Sequence, residues 1–335
     1  MEDRHGHRIN YLRVSITDRC NERCNYCMPE EKQEWLPRSE VLSYEEVLRV
    51  IRVGTSLGIS KVRITGGEPL TRRDVLWFFR ELGRIEGLRD IGISTNGTLL
   101  SRSAPGEKRD HASALREAGV RTVNVSLDTL DPDRYAATTG RDLLDEAIRG
   151  IDAARAAGFE RIKVNSVLMR HHNEHELWDL VEFARERDLL LRFIELMPVS
   201  TTQVLTEDNF LSAGEARKIL EFRLGKLIPR PDVRTNGPAS YFEIPETGQL
   251  VGFIGAMTNL HFCETCNKLR LTCEGKLRPC LGSHLEFDMR EVLRRPGVTD
   301  EEIAQFFLEV VDRKPEQHEF RENYQPGRRM IAIGG

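Results

Sequence analysis

The sequence predicts an α/β fold: a partial (β/α)6 TIM-like barrel over residues 1–225, then a smaller C-terminal α+β domain over residues 226–335. Three observations carry this expectation. Short β-rich runs alternate with amphipathic stretches from Tyr11 to about Gly225, the order that builds a parallel sheet through right-handed crossovers. The runs number six, short of the eight that close a TIM barrel, so the barrel is expected to stay open. After Gly225 the repeat gives way to proline, glycine and short apolar runs.

The expected strands are Tyr11–Thr17, Lys61–Thr65, Asp90–Ser94, Thr122–Leu127, Arg161–Leu168 and Leu189–Glu195. Between them, helix starts are signalled by capping patterns: Ser43 stands three residues before Glu46, Asn173 before Glu176 and Ser212 before Glu215. Gly58, Gly119, Gly158 and Gly225 sit where helices should stop. The polar stretch Ser101–His111 reads as a loose, inserted loop. Beyond Gly225, short apolar runs at Leu227–Pro231, Tyr241–Pro245 and Leu250–Ile254 precede two helical patterns, Glu286–Leu293 and Asp300–Val311. The second of these opens on a Thr299/Glu302 capping box.

Alternation within the strands says what the barrel holds. Leu12, Val14 and Ile16 share one face, and Arg13, Ser15 and Thr17 the other. The same split recurs at Lys61–Thr65, at Val123–Asp128 and at Ile162–Asn165. A parallel strand covered on both faces should read almost continuously apolar, so one face must look into a polar lumen. A solvent-exposed antiparallel sheet alternates too, but the helices between the strands argue against it. Arg13, Lys61, Arg63 and Lys163 fall on that inner face, a set suited to a polyanion.

Composition narrows the function classes. The formal net charge of −4 argues against a general nucleic-acid-binding surface and leaves room for a local basic pocket. No apolar stretch is long enough to span a bilayer. Met1–Asn10 is polar and lacks the apolar centre of a secretory signal. A cytoplasmic, reducing location is therefore expected, where disulfides are disfavoured. All seven cysteines fall in two short groups: Cys20, Cys24 and Cys27, then Cys263, Cys266, Cys273 and Cys280. In a reducing compartment such grouping reads as metal binding.

The first group, Cys20-Asn-Glu-Arg-Cys24-Asn-Tyr-Cys27, follows directly on the first strand. Three thiolates in one loop leave one iron of a [4Fe–4S] cluster without a protein ligand, an open position for a small molecule. A structural zinc site would want a fourth ligand nearby. This C-x-x-x-C-x-x-C loop, with Tyr26 before its last cysteine, resembles the radical S-adenosylmethionine (SAM) superfamily. Thr65-Gly66-Gly67-Glu68-Pro69 resembles that superfamily's glycine-rich segment beside SAM; glycines there permit close backbone approach.

The second group alone would suit a four-cysteine zinc site. Phe262-Cys263-Glu-Thr-Cys266-Asn-Lys-Leu-Arg270 with Cys280-Leu281, however, resembles the family of molybdenum-cofactor biosynthesis protein A, the GTP 3′,8-cyclases. The resemblance covers nearly the whole chain. It includes Arg13, Lys61-Val-Arg63, Ser94-Thr-Asn-Gly97, Asn124-Val-Ser-Leu-Asp128, Lys163-Val-Asn165, Arg192-Phe-Ile-Glu-Leu-Met197 and the terminal Met330-Ile-Ala-Ile-Gly-Gly335.

What the resemblance implies is specific. Cys20, Cys24 and Cys27 would hold one [4Fe–4S] cluster, and Cys263, Cys266 and Cys280 a second whose open iron binds guanine. Tyr26, Gly67, Ser126 and Met197 would contact SAM. Arg13, Arg63, Ser94, Lys163, Lys268 and Arg270 would contact GTP, although Lys268 stands where the family usually has arginine. Gly334 and Gly335 would reach the reacting atoms from the tail. Cys273 would stay outside the cluster, since a fourth ligand leaves no position for guanine.

The implied lyase reaction starts when one electron cleaves SAM to a 5′-deoxyadenosyl radical. The radical abstracts the ribose 3′ hydrogen of GTP, and the carbon radical closes on guanine C8 to give 3′,8-cyclo-7,8-dihydro-GTP, the first step of molybdenum-cofactor (molybdopterin) biosynthesis. A homodimer, an electron donor and a downstream cyclic pyranopterin monophosphate synthase are implied as partners. The competing readings are a radical SAM peptide-modifying enzyme with an auxiliary cluster and a two-site zinc module. His171, His172 and His175 read as a surface cluster rather than a metal site, and Trp77, Phe78 and Phe79 as helix packing.

Overall fold

The computed structural model describes residues 1–28, 34–104, 106, 108–202, 204–233, 235, 237–322 and 324–334. Its first half is a run of strand–helix units. In chain order these are β1 (Tyr11–Ser15), α1 (Tyr44–Ser56), β2 (Lys61–Thr65), α2 (Val75–Gly83), β3 (Asp90–Thr95), α3 (His111–Glu117), β4 (Thr122–Ser126), α4 (Pro132–Thr139) and α5 (Leu144–Ala156). There follow β5 (Arg161–Leu168), α6 (Leu177–Glu186), β6 (Leu190–Glu195) and α7 (Ala213–Leu224). The second half holds β7 (Ile228–Pro229), β8 (Ser240–Glu243), β9 (Leu250–Ile254), β10 (Lys268–Leu271), β11 (Lys276–Arg278), β12 (Phe287–Asp288), α8 (Met289–Leu293), α9 (Asp300–Asp312) and α10 (Met330–Ile333).

All twelve strands form one sheet, in the order β12-β11-β10-β1-β2-β3-β4-β5-β6-β9-β8-β7. The six expected strands lie side by side and parallel. The C-terminal strands do not build a sheet of their own. β10 pairs parallel with β1, and β9 parallel with β6, so both edges of the barrel are extended from the far end of the chain. The sheet therefore has eight parallel strands, of which only six come from the repeat. Antiparallel strands close each flank, β11 and β12 on one side and β8 and β7 on the other.

The apolar alternate residues face the helices. Leu12, Val14, Ile64, Ile93, Val123, Val125, Val164, Leu191 and Phe193 are fully buried. Phe78 and Phe79 on α2 are also fully buried, and Phe78 stacks on Tyr44 with ring centroids 4.7 Å apart. Each such ring contributes about 1.5–3 kcal/mol by leaving water. Trp77 differs from the expectation: it is 41% exposed, because α2 turns only one face to the sheet.

Helix ends follow the sequence with one exception. Ser43, Ser212 and Thr299 each form a complete capping box. Gly58 and Gly225 adopt φ of 100° and 72° just past their helices, a region an L side chain avoids. Asn173 caps nothing. α6 begins at Leu177 without a side-chain cap. Asn173 is fully buried instead, accepting from Met169 N at 3.0 Å and donating to the carbonyls of Asp128 and Val167, both at 2.8 Å. Glu176 accepts from Thr129 and Leu130 N. Both side chains tie strand ends together, a local competitor to capping. α8 is shorter than the expected Glu286–Leu293 because Phe287 and Asp288 pair with β11. The Ser101–His111 loop is tethered by a bridge between Ser103 and Asp110 and by bonds from Ala104 N to Arg109 O and from His111 N to Arg102 O. Among the described residues no helix is long and apolar enough to cross a membrane.

Candidate active site

The polar strand faces line a cavity of about 360 Å³. Strand polarity fixes its two ends. Cys20 follows the carboxyl end of β1, whereas Cys266 lies two residues before the amino end of β10, which runs parallel to β1 with Tyr11 opposite Lys268. The two cysteine sets therefore sit at opposite ends of the strands, separated by roughly the 13 Å that five extended residues span. All six of Cys20, Cys24, Cys27, Cys263, Cys266 and Cys280 face the cavity.

At the first end, burial pushes the Cys20 thiol up to about 12. Cys24 and Cys27 are raised too, by burial first and then by nearby Cys20, Glu22 and Asp128. Thiols so placed stay protonated until a metal displaces the proton. Gly66 and Gly67 pack against the same loop. A Cβ at Gly67 would lie 2.4 Å from Arg19 O, and one at Gly66 2.7 Å from Thr17 O, so no side chain fits either position. Tyr26 donates to Asp128 at 2.6 Å. Met197 and Ser126 complete this part of the wall.

Between the ends lies a belt of cations. Arg13 pairs in register with Arg63 on one side and Arg270 on the other, so three guanidiniums share one row. Lys163 stands opposite Asn124, which stands opposite Ser94. Lys268 also faces the cavity, with its ammonium 5.6 Å from the Tyr11 ring centre. Burial and neighbouring guanidiniums pull Arg13 down to about 10 and Arg270 to about 9, so both stay charged at neutral pH. Burial, then Arg192 and Arg63, pulls Lys163 to about 6. Arg63 is partly committed to the fold: it donates to Tyr11 Oη, Ile93 O and Thr122 Oγ1 at 2.7, 2.9 and 2.8 Å. Gly92 makes this possible, since a Cβ there would meet Arg63 Cζ at 2.7 Å. Lys61, although on the polar face by alternation, does not reach the cavity. It lies at the amino end of β2, level with Tyr11.

The second cysteine set closes the other end, and its members act on one another's protonation. Cys273 stands apart. It is buried off the cavity wall, with its thiol donating to Glu274 at 3.7 Å. Among the described residues no three His, Cys, Asp or Glu side chains converge closely enough to hold a single ion. The tail enters the cavity: Met330 and Ile331 line it, and Arg270 donates to Gly334 O at 2.9 Å. Gly334 has φ of 83°, and a Cβ on it would lie 2.6 Å from Thr65 Cγ2. Gly335 lies outside the described residues.

Three residues quoted within the sequence motifs carried no role of their own there. Arg192 lines the cavity and donates to Asn165 Oδ1 at 2.9 and 2.6 Å; alternation with Leu191 and Phe193 could have found it. Glu68 is fully buried and ties Thr65–Pro69 to the end of β3 by accepting from Thr95 Oγ1 and Asn96 N. Glu195 accepts from Ala213 N, Met257 N and Thr258 N, fixing two loops at the wall.

Comparison with known proteins agrees with this geometry. Residues 14–184 match the radical SAM superfamily, and residues 189–320 match the molybdenum cofactor synthesis C family. The GTP 3′,8-cyclase of Thermodesulfovibrio yellowstonii is 44% identical over 336 residues, spanning 100% of both chains. The chain belongs to the GTP 3′,8-cyclase family. Its relatives include the GTP 3′,8-cyclase of Petrotoga mobilis, 42% identical over 100% of both chains. The GTP 3′,8-cyclase 2 of Pseudomonas aeruginosa is 43% identical over 99% of this chain and 98% of its own. Among solved structures, anSMEcpe with bound AdoMet matches with a TM-score of 0.62 at 15% identity, covering 94% of this chain and 80% of that one. Streptococcus suis SuiB bound to its precursor peptide matches with a TM-score of 0.60 at 17% identity, covering 88% of this chain and 66% of that one. These two share the fold. In the cyclase family the second cysteine set is part of the molybdenum cofactor synthesis C match, which begins just before β6.

Proposed function

We infer that this chain is a GTP 3′,8-cyclase that uses SAM and two [4Fe–4S] clusters to convert GTP to 3′,8-cyclo-7,8-dihydro-GTP in molybdenum-cofactor biosynthesis. One observation carries the reading: two three-cysteine sets at opposite ends of a lumen, with a cationic belt between them.

The residues fit the groups. Buried thiols held protonated by their surroundings become ligands once iron replaces the proton. Three cysteine ligands to a [4Fe–4S] cluster would leave one iron open at each end. Cys20, Cys24 and Cys27 would hold the first cluster, with SAM beside Tyr26, Gly67, Ser126 and Met197. Gly66 and Gly67 leave only backbone on their side of the loop, which lets a ligand come close. When bound there, SAM supplies the radical chemistry on one-electron reduction.

The chain's own residues orient the nucleotide. Arg13, Lys163, Lys268 and Arg270 would grip the triphosphate, with Arg63 as a part-committed donor and Ser94 beside them. Neighbouring guanidiniums lower Arg13 and Lys163, so a polyanion between them would favour their charged forms. Cys263, Cys266 and Cys280 would hold the second cluster against the base. Holding the base at one end and SAM at the other fixes the ribose between them, and orientation is the largest contribution a protein makes to such a reaction. Gly334 and Gly335 would approach from the tail.

On this reading residues 1–225 carry SAM cleavage, and residues 226–335 add the second cluster and the tail. A cytoplasmic homodimer served by an electron donor, passing its product to a cyclic pyranopterin monophosphate synthase, completes the proposal. Anaerobic iron and sulfide analysis with a GTP-binding assay tests it. About eight irons per chain and tight GTP binding are expected. A colourless, zinc-loaded protein would refute the reading, and cluster-loaded protein without GTP affinity would favour a peptide substrate.

A further inference from the structure

Lys314 follows α9 and is only 3% exposed. Its ammonium donates to Lys268 O at 3.2 Å and to Pro279 O. Those carbonyls flank the two halves of the second cysteine set: Lys268 lies two residues after Cys266, and Pro279 immediately precedes Cys280. A buried cation is costly unless a counter-charge compensates it. Among the described residues no carboxylate forms an ion pair with Lys314; the side chains that its charge lies among are those of Cys263, Cys266 and Cys280.

We propose that Lys314 is a positioning residue for the second cluster: it clasps the two chain segments that carry the cysteines and sets a fixed positive charge against them. A buried cation beside a cluster stabilises the reduced, more negative state, and charge and hydrogen bonding near the sulfurs tune the potential. Lys314 thereby raises the potential of the guanine-side cluster and acts less on the cluster at the other end of the strands. The proposal rests on the second set holding a cluster. Cys280→Ser tests that separately, since it should remove about half the iron.

The test is Lys314→Met, nearly the same length without the charge, studied in the anaerobically reconstituted full chain by iron analysis and an EPR-monitored redox titration. The expected result is full iron and a more negative midpoint for the second cluster, with a smaller shift or none for the first. Loss of half the iron in Lys314→Met, restored in Lys314→Arg, supports the clasp equally. Full iron with both midpoints unchanged overturns the proposal. So does loss of iron in both variants alongside a lowered unfolding midpoint in both, which would make Lys314 a packing residue only.

Discussion

Lys163 gives the sharpest test of how the lumen recognises its substrate. Burial and the nearby Arg192 and Arg63 hold its ammonium down to about 6 in the empty protein. At pH 8 only about 1% of molecules then carry the charge, and charging the group costs about 2.7 kcal/mol at 1.36 kcal/mol per pH unit. A charged hydrogen bond to phosphate returns about 1.5–3 kcal/mol, so at pH 8 the two nearly cancel. On that scale a bound triphosphate raises the lysine by about one to two units, so binding near pH 7 takes up a large part of a proton. The sign follows from linkage: the complex binds more protons than the free protein, so affinity falls as pH rises above about 6.

The assay is isothermal titration of GTP into cluster-loaded protein from about pH 7 to 8.5, above the titration of the phosphate itself, in buffers of different ionisation enthalpy. Kd should rise severalfold per pH unit near pH 7 and level off above about pH 8, with proton uptake largest near pH 7 and falling above it. Lys163→Met should flatten the profile and remove the uptake. A flat profile in the parent protein, with no buffer dependence, would refute the argument.

Three further outcomes are expected. Replacing Cys20, Cys24 and Cys27 together with serine should remove half of about eight irons and all SAM cleavage; intact cleavage by that variant would sink the assignment. Gly334→Ala should keep both clusters yet slow cyclisation on the order of a hundredfold, because a Cβ 2.6 Å from Thr65 Cγ2 displaces the tail; full turnover would return the glycine to a frayed end. Cys273→Ser should preserve iron, GTP affinity and turnover, as its thiol lies off the cavity wall beside Glu274; loss of half the iron would make it a ligand.

Much of the barrel is written locally and is therefore legible in the sequence. Six strands, three capping boxes and the split of Arg13 from Leu12 and Val14 need only nearest-neighbour stereochemistry. What escapes is non-local. Leu250–Ile254 and Lys268–Leu271 show themselves as apolar runs, but nothing in them names β6 and β1 as partners. Asn173 carries a capping pattern that tertiary hydrogen bonds override. Lys61 obeys the alternation yet misses the cavity, because alternation gives a face and not a height along the strand. Lys314 has no motif at all; its meaning comes from two carbonyls 46 and 35 residues away.

The extension of the sheet at its edge by β10 also sets an order of events during synthesis. Asn267 donates to Asn10 at 2.9 Å across 257 residues of chain, beside the β1–β10 pair. On the ribosome the first strand emerges early and waits, its edge bare, until nearly four-fifths of the polypeptide has been made. Such long-range pairing is slow and leaves unpaired edges open to aggregation meanwhile. The Cys20–Cys27 loop spends that interval without its final wall. Iron delivery before translation ends would meet an open loop, and delivery afterwards a sheltered one.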